Sequence, residues 1–263
     1  MVLFGVLLGE GVGIGDELMV TGMAREAQRR DPRKVRILYE KKQRWCPIWE
    51  NNPRIAKPEE KGDFQILKPR QDYLRPYCSA KTPEQWTWKA YRPPVGEIYF
   101  AFHEKPFGNL HAGAIVFANT LKRGASPNKQ WGRDRWESLA IKMAKHGRLI
   151  SMGEERIELL AGVEFVQTTI RQAAAVVARA RLVLCNEGAM HHIAAAVGTP
   201  AVVIYGGYIS PECTGYDGQV AFFRGGGLGC GMRVPCAHCA DAMASITPEE
   251  VYEAAIGELG KSR

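Results

Sequence analysis

Cys185-Asn186-Glu187-Gly188-Ala189-Met190-His191-His192-Ile193-Ala194-Ala195-Ala196-Val197-Gly198-Thr199-Pro200, running on into Ala201-Val202-Val203-Ile204-Tyr205-Gly206-Gly207, decides how this chain is read. The apolar run that leads into it, from Ala180 to Cys185, has the length and composition of a buried strand of a parallel sheet. The polar turn Asn186-Glu187-Gly188 then opens a helix of small residues from Ala189 to Val197, which Gly198 stops and Pro200 keeps stopped. Ala201 to Tyr205 is the next strand. The unit is βαβ, with its polar residues at the carboxyl end of the strand, where open α/β sheets bind ligands. The first amides of the helix lack partners and carry partial positive charge, which suits a phosphate. Gly188 permits close backbone approach, and Glu187 or His191 can hydrogen-bond a ribose or a phosphate. The same residues would serve a plain packing unit in which Glu187 is only a solvated N-terminal acid.

The chain has 263 residues, enough for one large or two small domains, and its 46% hydrophobic and 24% charged residues are those of a globular protein. No apolar run approaches the ~20 residues that span a bilayer. Met1 to Leu8 is apolar but lacks a basic flank and a small-residue cleavage site, so it reads as a first buried strand. The net charge is +7, with one basic group between Arg25 and Arg44 and a second at Lys122, Arg123, Lys129, Arg133 and Arg135. Such an excess suits an anionic partner, or equally a solvated helix face. Seven cysteines are too few and too scattered for a disulfide scaffold. Cys230, Cys236 and Cys239, with His238 among them, could hold zinc, but one C-x-x-C without a second pair is also what reduced, unligated thiols look like.

Outward from the opening unit, Glu17 to Arg30 reads as a helix after the glycine-rich loop from Gly9 to Asp16, and Val35 to Tyr39 as a second strand. That loop lacks the Gly-Lys-Ser/Thr ending of a P-loop and fits a dinucleotide fingerprint poorly. Lys41 to Pro94 is irregular and rich in Pro and aromatics, which serve either a small loop-rich core or stacking on sugars and bases. Further strands are expected at Glu97–His103, Ala114–Asn119 and Arg148–Met152, and helices at Arg133–His146 and Thr169–Ala180. Thr247-Pro248-Glu249-Glu250 starts a last helix, with Thr at the cap, Pro first and Glu third. Two α/β halves facing across a cleft is the economical architecture.

The second half resembles glycosyltransferase family nine, the heptosyltransferases of lipopolysaccharide core synthesis. The resemblance is carried by Asn186 to Pro200, by Thr120 with Ser126-Pro127-Asn128-Lys129-Gln130-Trp131 and Arg135 to Ala140, by Gly15-Asp16-Glu17-Leu18-Met19-Val20-Thr21, and by late cysteines followed by Ile246 to Val251. It covers most of residues 111–259 and about the first 40. The family usually has an Asp followed by Ser or Thr where this chain has Asn186-Glu187, and the chain is short in the first half. The resemblance implies two Rossmann-like domains facing across a cleft, the GT-B architecture, with a reduced acceptor-side domain at 1–110 and a nucleotide-sugar domain at 111–263. It implies an inverting transfer of a sugar from a nucleotide-diphosphate donor to a hydroxyl.

Such a transfer needs a base for the acceptor hydroxyl and positive charge for the leaving diphosphate. Asp16 is the candidate base, its alternative role being a helix cap. Thr120, Lys122, Lys129, Asn186, Glu187, Gly188, Met190 and His191 are the candidate donor-binding residues, and Glu10, Gly13 and Gly15 lie on the acceptor side. No acidic pair has metal spacing, so metal-independent transfer without a cofactor is expected. The acceptor is a saccharide of lipopolysaccharide type or a modified base in phage DNA. The competing class is a non-catalytic nucleotide-sugar or nucleic-acid binding module. A cytoplasmic site is expected, with peripheral placement at an inner membrane as its variant.

Overall fold

The computed structural model describes residues 12–40, 42–71, 74–122, 124–155 and 160–261. The expected first strand and Glu10 lie outside them. Helix α1 (Ile14–Gln28) precedes β1 (Val35–Tyr39), β2 (Lys42–Gln43) and β3 (Gln65–Leu67), which form a three-stranded sheet in the order β2-β1-β3. A separate antiparallel hairpin follows, β4 (Cys78–Lys81) and β5 (Trp86–Trp88).

The strand expected at Glu97–His103 does not form; residues 97–101 belong to no strand and 102–104 make a 3-10 turn ahead of α2 (Lys105–Asn109). Side chains take the polar groups that a ladder would have used. The amide of Glu97 donates to Thr21 Oγ1 at 2.7 Å, and the carbonyl of Tyr99 accepts from Arg171 at 2.7 Å.

The second sheet is built from β6 (Ile115–Ala118), β7 (Leu149–Gly153), β8 (Glu164–Gln167), β9 (Leu182–Asn186), β10 (Ala201–Gly206) and β11 (Val220–Phe223). All its neighbours are parallel, in the order β8-β7-β6-β9-β10-β11. Counted from its first strand this is 3-2-1-4-5-6, the Rossmann order, with the reversal between β6 and β9. The helices are α3 (Arg133–Met143), α4 (Ile170–Val177), α5 (Ala189–Val197), α6 (Pro211–Thr214), α7 (Ala237–Ala244) and α8 (Pro248–Lys261).

The alternation of the central strands explains the layers. Val183, Cys185, Val203 and Tyr205 share one apolar cluster with Ile193 and Ala194 of α5 and with Leu18 and Met19 of α1. Leu182, Leu184, Val202 and Ile204 face the other way, into a cluster with Trp131, Trp136 and Leu139 on one side of the sheet and Val251 and Leu259 of α8. Burial on both faces is why these strands read as continuous apolar runs. Gly198 ends α5 in the left-handed region, at φ 76°, as its position predicts. Among the described residues no helix is long and apolar enough to cross a membrane.

Candidate active site

A cavity of about 500 Å³ opens beside the carboxyl ends of β6 and β9, at the point where the strand order reverses. That volume is in the range of small-molecule sites. The loop after β6 contributes Thr120, Lys122, Ser126 and Lys129 to its wall, and the turn after β9 contributes Glu187 and Gly188. The first turn of α5 adds Ala189 and Met190. The opposite wall is the first turn of α1, with Arg70, Arg75, Tyr77 and Trp86 from the irregular segment before the second sheet.

The sequence therefore brings together Asp16, Gly13, Gly15, Thr120, Lys122, Lys129, Asn186, Glu187, Gly188 and Met190, all of which line this one cavity. His191 is a correction: it does not line the cavity and is fully buried, with its Nε2 3.7 Å from Glu187 Oε1. His192, one residue on, lines it instead. The His-His pair was visible, but spacing alone does not say which ring of a first helical turn faces the sheet and which the opening. His192 Nδ1 is 2.8 Å from Tyr216 Oη, and burial, with His191 alongside, holds its pKa well below the usual imidazole range, so it is neutral. Its ring sits against Gly15, where a Cβ would collide with it; this close approach of α1 to α5 is the reason for a glycine there.

Asp16 lies inside the first turn of α1 and not, as expected, on the loop before it. Its Oδ2 accepts from the Gly13 amide at 3.2 Å and from Arg75 Nε at 2.9 Å, and its Oδ1 accepts from Tyr77 Oη at 2.7 Å. Arg70 Nη2 is 3.7 Å away. Burial would raise this carboxyl, but Arg75 and Arg70, with the two hydrogen bonds, override it and keep the pKa below the ordinary value. Asp16 is thus a cap and an ionised carboxylate in the cavity wall at once. Glu17, the neighbouring carboxylate, is fully buried away from the cavity, bound to Tyr39 and Arg44.

Across the cleft, Lys129 is ion-paired with Glu187, whose other oxygen accepts from Thr214 Oγ1 at 3.3 Å. Burial would raise the Glu187 carboxyl; Lys129, with His191, outweighs it and holds the pKa well below the usual range. Asn186 ends β9 and donates to the Asn119 carbonyl at 3.0 Å. No side chain caps α5, whose first turn opens on the cavity. Lys122 reaches over to α1; a Cβ on Gly13 would lie 3.5 Å from its Nζ. Among the described residues, the lining holds six cationic side chains, Arg70, Arg75, Lys81, Lys122, Lys129 and Arg233, against the carboxylates of Asp16, Glu40 and Glu187. Two helix N-termini add to that positive field.

Arg70, Arg75 and Arg233 were missed because they come from segments without periodicity, whereas Tyr77 and Trp86 belong to the aromatics expected either in a loop-rich core or in stacking. The guanidinium of Arg75 lies 4.4 Å from the Trp86 ring centroid and that of Arg233 5.3 Å from it. Most other rings of that segment are core, Trp49 and Trp88 among them. The basic run from Arg25 to Arg44 is largely neutralised on the spot: Arg25 pairs with Glu97, Arg29 with Glu26, Arg33 with Asp31 and Asp63, Lys34 with Glu60, and Arg44 with Glu17.

A family model described as glycosyltransferase family 9 (heptosyltransferase) matches residues 35–224. A family 9 glycosyl transferase from Veillonella parvula superposes with a TM-score of 0.65 at 15% identity, covering 95% of each chain. The iron-containing dodecameric glycosyltransferase TibC of enterotoxigenic E. coli gives 0.64 at 14% identity, over 95% of this chain and 74% of that one. The E. coli heptosyltransferase WaaC, solved with ADP, gives 0.57 at 14% identity, over 96% and 97%. These likenesses are of fold, an α/β architecture of GT-B type. No curated protein matches the chain.

Proposed function

The chain belongs to glycosyltransferase family 9, matched over 190 of its 263 residues, and on that premise we propose that it moves a sugar from a nucleotide-diphosphate donor to a hydroxyl with inversion. The observation that carries this reading is the cavity at the strand reversal, cation-rich, with an ionised carboxylate on one wall and an open helix N-terminus on the other. In this reading the diphosphate lies against the first turn of α5, with Lys122 and Lys129 on its charge and Thr120 beside it. Asn186 and Glu187 hold the turn, and Glu187 keeps Lys129 in place until the anion arrives. Residues 111–263 form the donor side and residues 1–110 the acceptor side.

Asp16 takes the acceptor proton as the acceptor oxygen bonds to the anomeric carbon. The bond from that carbon to the diphosphate oxygen breaks in the same step, and the diphosphate leaves with its charge met by Lys122, Lys129 and the α5 amides. Its low pKa makes Asp16 a modest base but one that is always ionised, and Arg75 and Tyr77 fix its orientation. Neither a divalent ion nor a cofactor enters this scheme: Lys129 already occupies Glu187, the carboxylate of the Glu187, His191 and His192 group. The proposed acceptor is a glycan on the cytoplasmic side of a membrane; a DNA acceptor would show itself by salt-dependent binding to DNA.

Calorimetric titration of the full chain with ADP, GDP and UDP tests the donor site. At least one should bind, and Lys122→Met and Lys129→Met should each weaken it by about 1–3 kcal/mol, the worth of a charge-assisted contact. Absence of binding by all three, or unchanged affinity in both folded variants, contradicts the assignment.

A further inference from the structure

Cys230, Cys236, His238 and Cys239 form a second cluster, and none of them lines the cavity. Their ligand atoms all lie within 4.8 Å of one another. Cys230 Sγ is 3.8 Å from Cys236 Sγ and 3.2 Å from Cys239 Sγ, and Cys239 Sγ is 3.8 Å from His238 Nδ1. Three thiolates and an imidazole around a tetrahedral ion, at metal–sulfur distances of about 2.3 Å, have edges of roughly 3.5–3.8 Å. Of the three distances just given, two already match, and the Cys230–Cys239 one has to open by about half an ångström, which a small side-chain rotation supplies.

Three further contacts set the chemistry. His238 Nε2 lies 2.7 Å from the carbonyl of Gly225, which can only accept, so Nε2 carries the proton and Nδ1 presents its lone pair to the sulfurs. That is the outer-shell arrangement that orients a metal-binding histidine. The amide of Met232 points at Cys230 Sγ, 3.5 Å away. Cys236 stands at the N-cap position of α7 and Cys239 lies in its first turn, where the helix dipole favours thiolates.

We propose that Cys230, Cys236, Cys239 and His238 Nδ1 bind one thiolate-preferring divalent transition-metal ion, zinc or iron(II), with loss of the three thiol protons. The ion clamps the loop before α7 onto that helix. The loop is in turn strapped to the β4–β5 hairpin: Gly231 O accepts from Trp86 N at 3.0 Å, Cys230 O from Gln85 Nε2 at 2.9 Å, and Glu84 O from Arg233 N at 2.7 Å. Asn128, beside Lys129, donates to Met232 O and Val234 O, both at 2.7 Å, and accepts from the Cys236 amide at 3.2 Å. The site therefore fixes Trp86 and Arg233 in the cavity wall without touching what binds there.

The test is elemental analysis of the full chain, purified under reducing conditions from cells supplied with zinc and iron. About one metal ion per chain is expected, its identity deciding between the two. Cobalt(II) added to stripped protein should give thiolate-to-cobalt charge-transfer absorption and the strong visible bands of a tetrahedral site. Cys236→Ser and His238→Ala, at part-exposed and exposed positions, should lower metal retention at least tenfold. Zinc plus iron below about a tenth of an equivalent, with no cobalt bands in folded protein, overturns the proposal. So does a Cys230–Cys239 disulfide found by mass spectrometry in that protein, or full metal retention in both variants. These readouts are independent of sugar transfer.

Discussion

At Glu187, burial and pairing pull in opposite directions, and the pairing wins because Lys129 lies against the carboxylate. The folded pKa is depressed, so the stability this group contributes is in place above its ordinary value and is lost as pH falls through the folded one. Lys129→Met removes the cation and leaves burial alone, which raises the carboxyl and reverses the sign: that variant suffers most at neutral pH and recovers on acidification. Breaking a buried pair from one side costs about 3–5 kcal/mol. Denaturant unfolding should therefore show wild type and Lys129→Met about that far apart near pH 7, with the gap closing toward about pH 4; a gap that stays constant with pH contradicts the assignment. Both residues stand out in the sequence as candidates, and both line the cavity. Their pairing was not legible, because residues 58 apart in sequence leave no local pattern. The same holds for Asp16, which the glycine-rich loop marks as a candidate while nothing in the sequence marks Arg75 and Tyr77, in a stretch without period, as its partners.

Elements were legible where burial is two-sided or the end is capped. The runs of β9 and β10 are buried throughout, and α8 begins with the expected box, in which Thr247 Oγ1 accepts from Glu250 N at 3.2 Å and Glu250 Oε2 accepts from Thr247 N at 2.9 Å. The edge strands β8 and β11 were missed because each has four residues with a single one fully buried, and neither carries a long apolar run. The hairpin β4–β5 was missed for a different reason: its contacts are with another segment and not with itself alone. Gly231 is where the two meet, at φ 66° with the Trp86 backbone pressed against the position of a Cβ. Gly231→Ala should cost more than the roughly 1 kcal/mol of a left-handed alanine and release the hairpin. Hydrogen exchange at the amides of Trp86 and Arg233 should rise well above that of β9; protection equal to wild type shows that the strap does not hold the hairpin.

The molecule as a whole is two α/β regions that share one apolar cluster, with a polar cleft left open where α1 and α5 present their first turns. Arg171 of α4 joins them from behind, gripping Glu104 through both carboxylate oxygens and the carbonyls of Pro47 and Tyr99. Charge placement across this closure is what turns the fold into a site: cations dominate the cavity lining, whereas the basic run at 25–44 is spent on local carboxylates. The measurement that bears most directly on this account is made on Asp16→Asn. Asparagine keeps an acceptor for the Gly13 amide and turns its amide nitrogen, now a donor, to the Tyr77 hydroxyl oxygen, but it cannot take a proton. The nucleotide sugar that most raises the melting temperature of wild type supplies the donor, and its hydrolysis without an acceptor, where water stands in for the hydroxyl, is the readout. The account predicts a rate lowered by about 10²- to 10⁴-fold, with donor affinity within a few-fold of wild type. A variant that binds the donor and hydrolyses it as fast as wild type removes Asp16 from the chemistry.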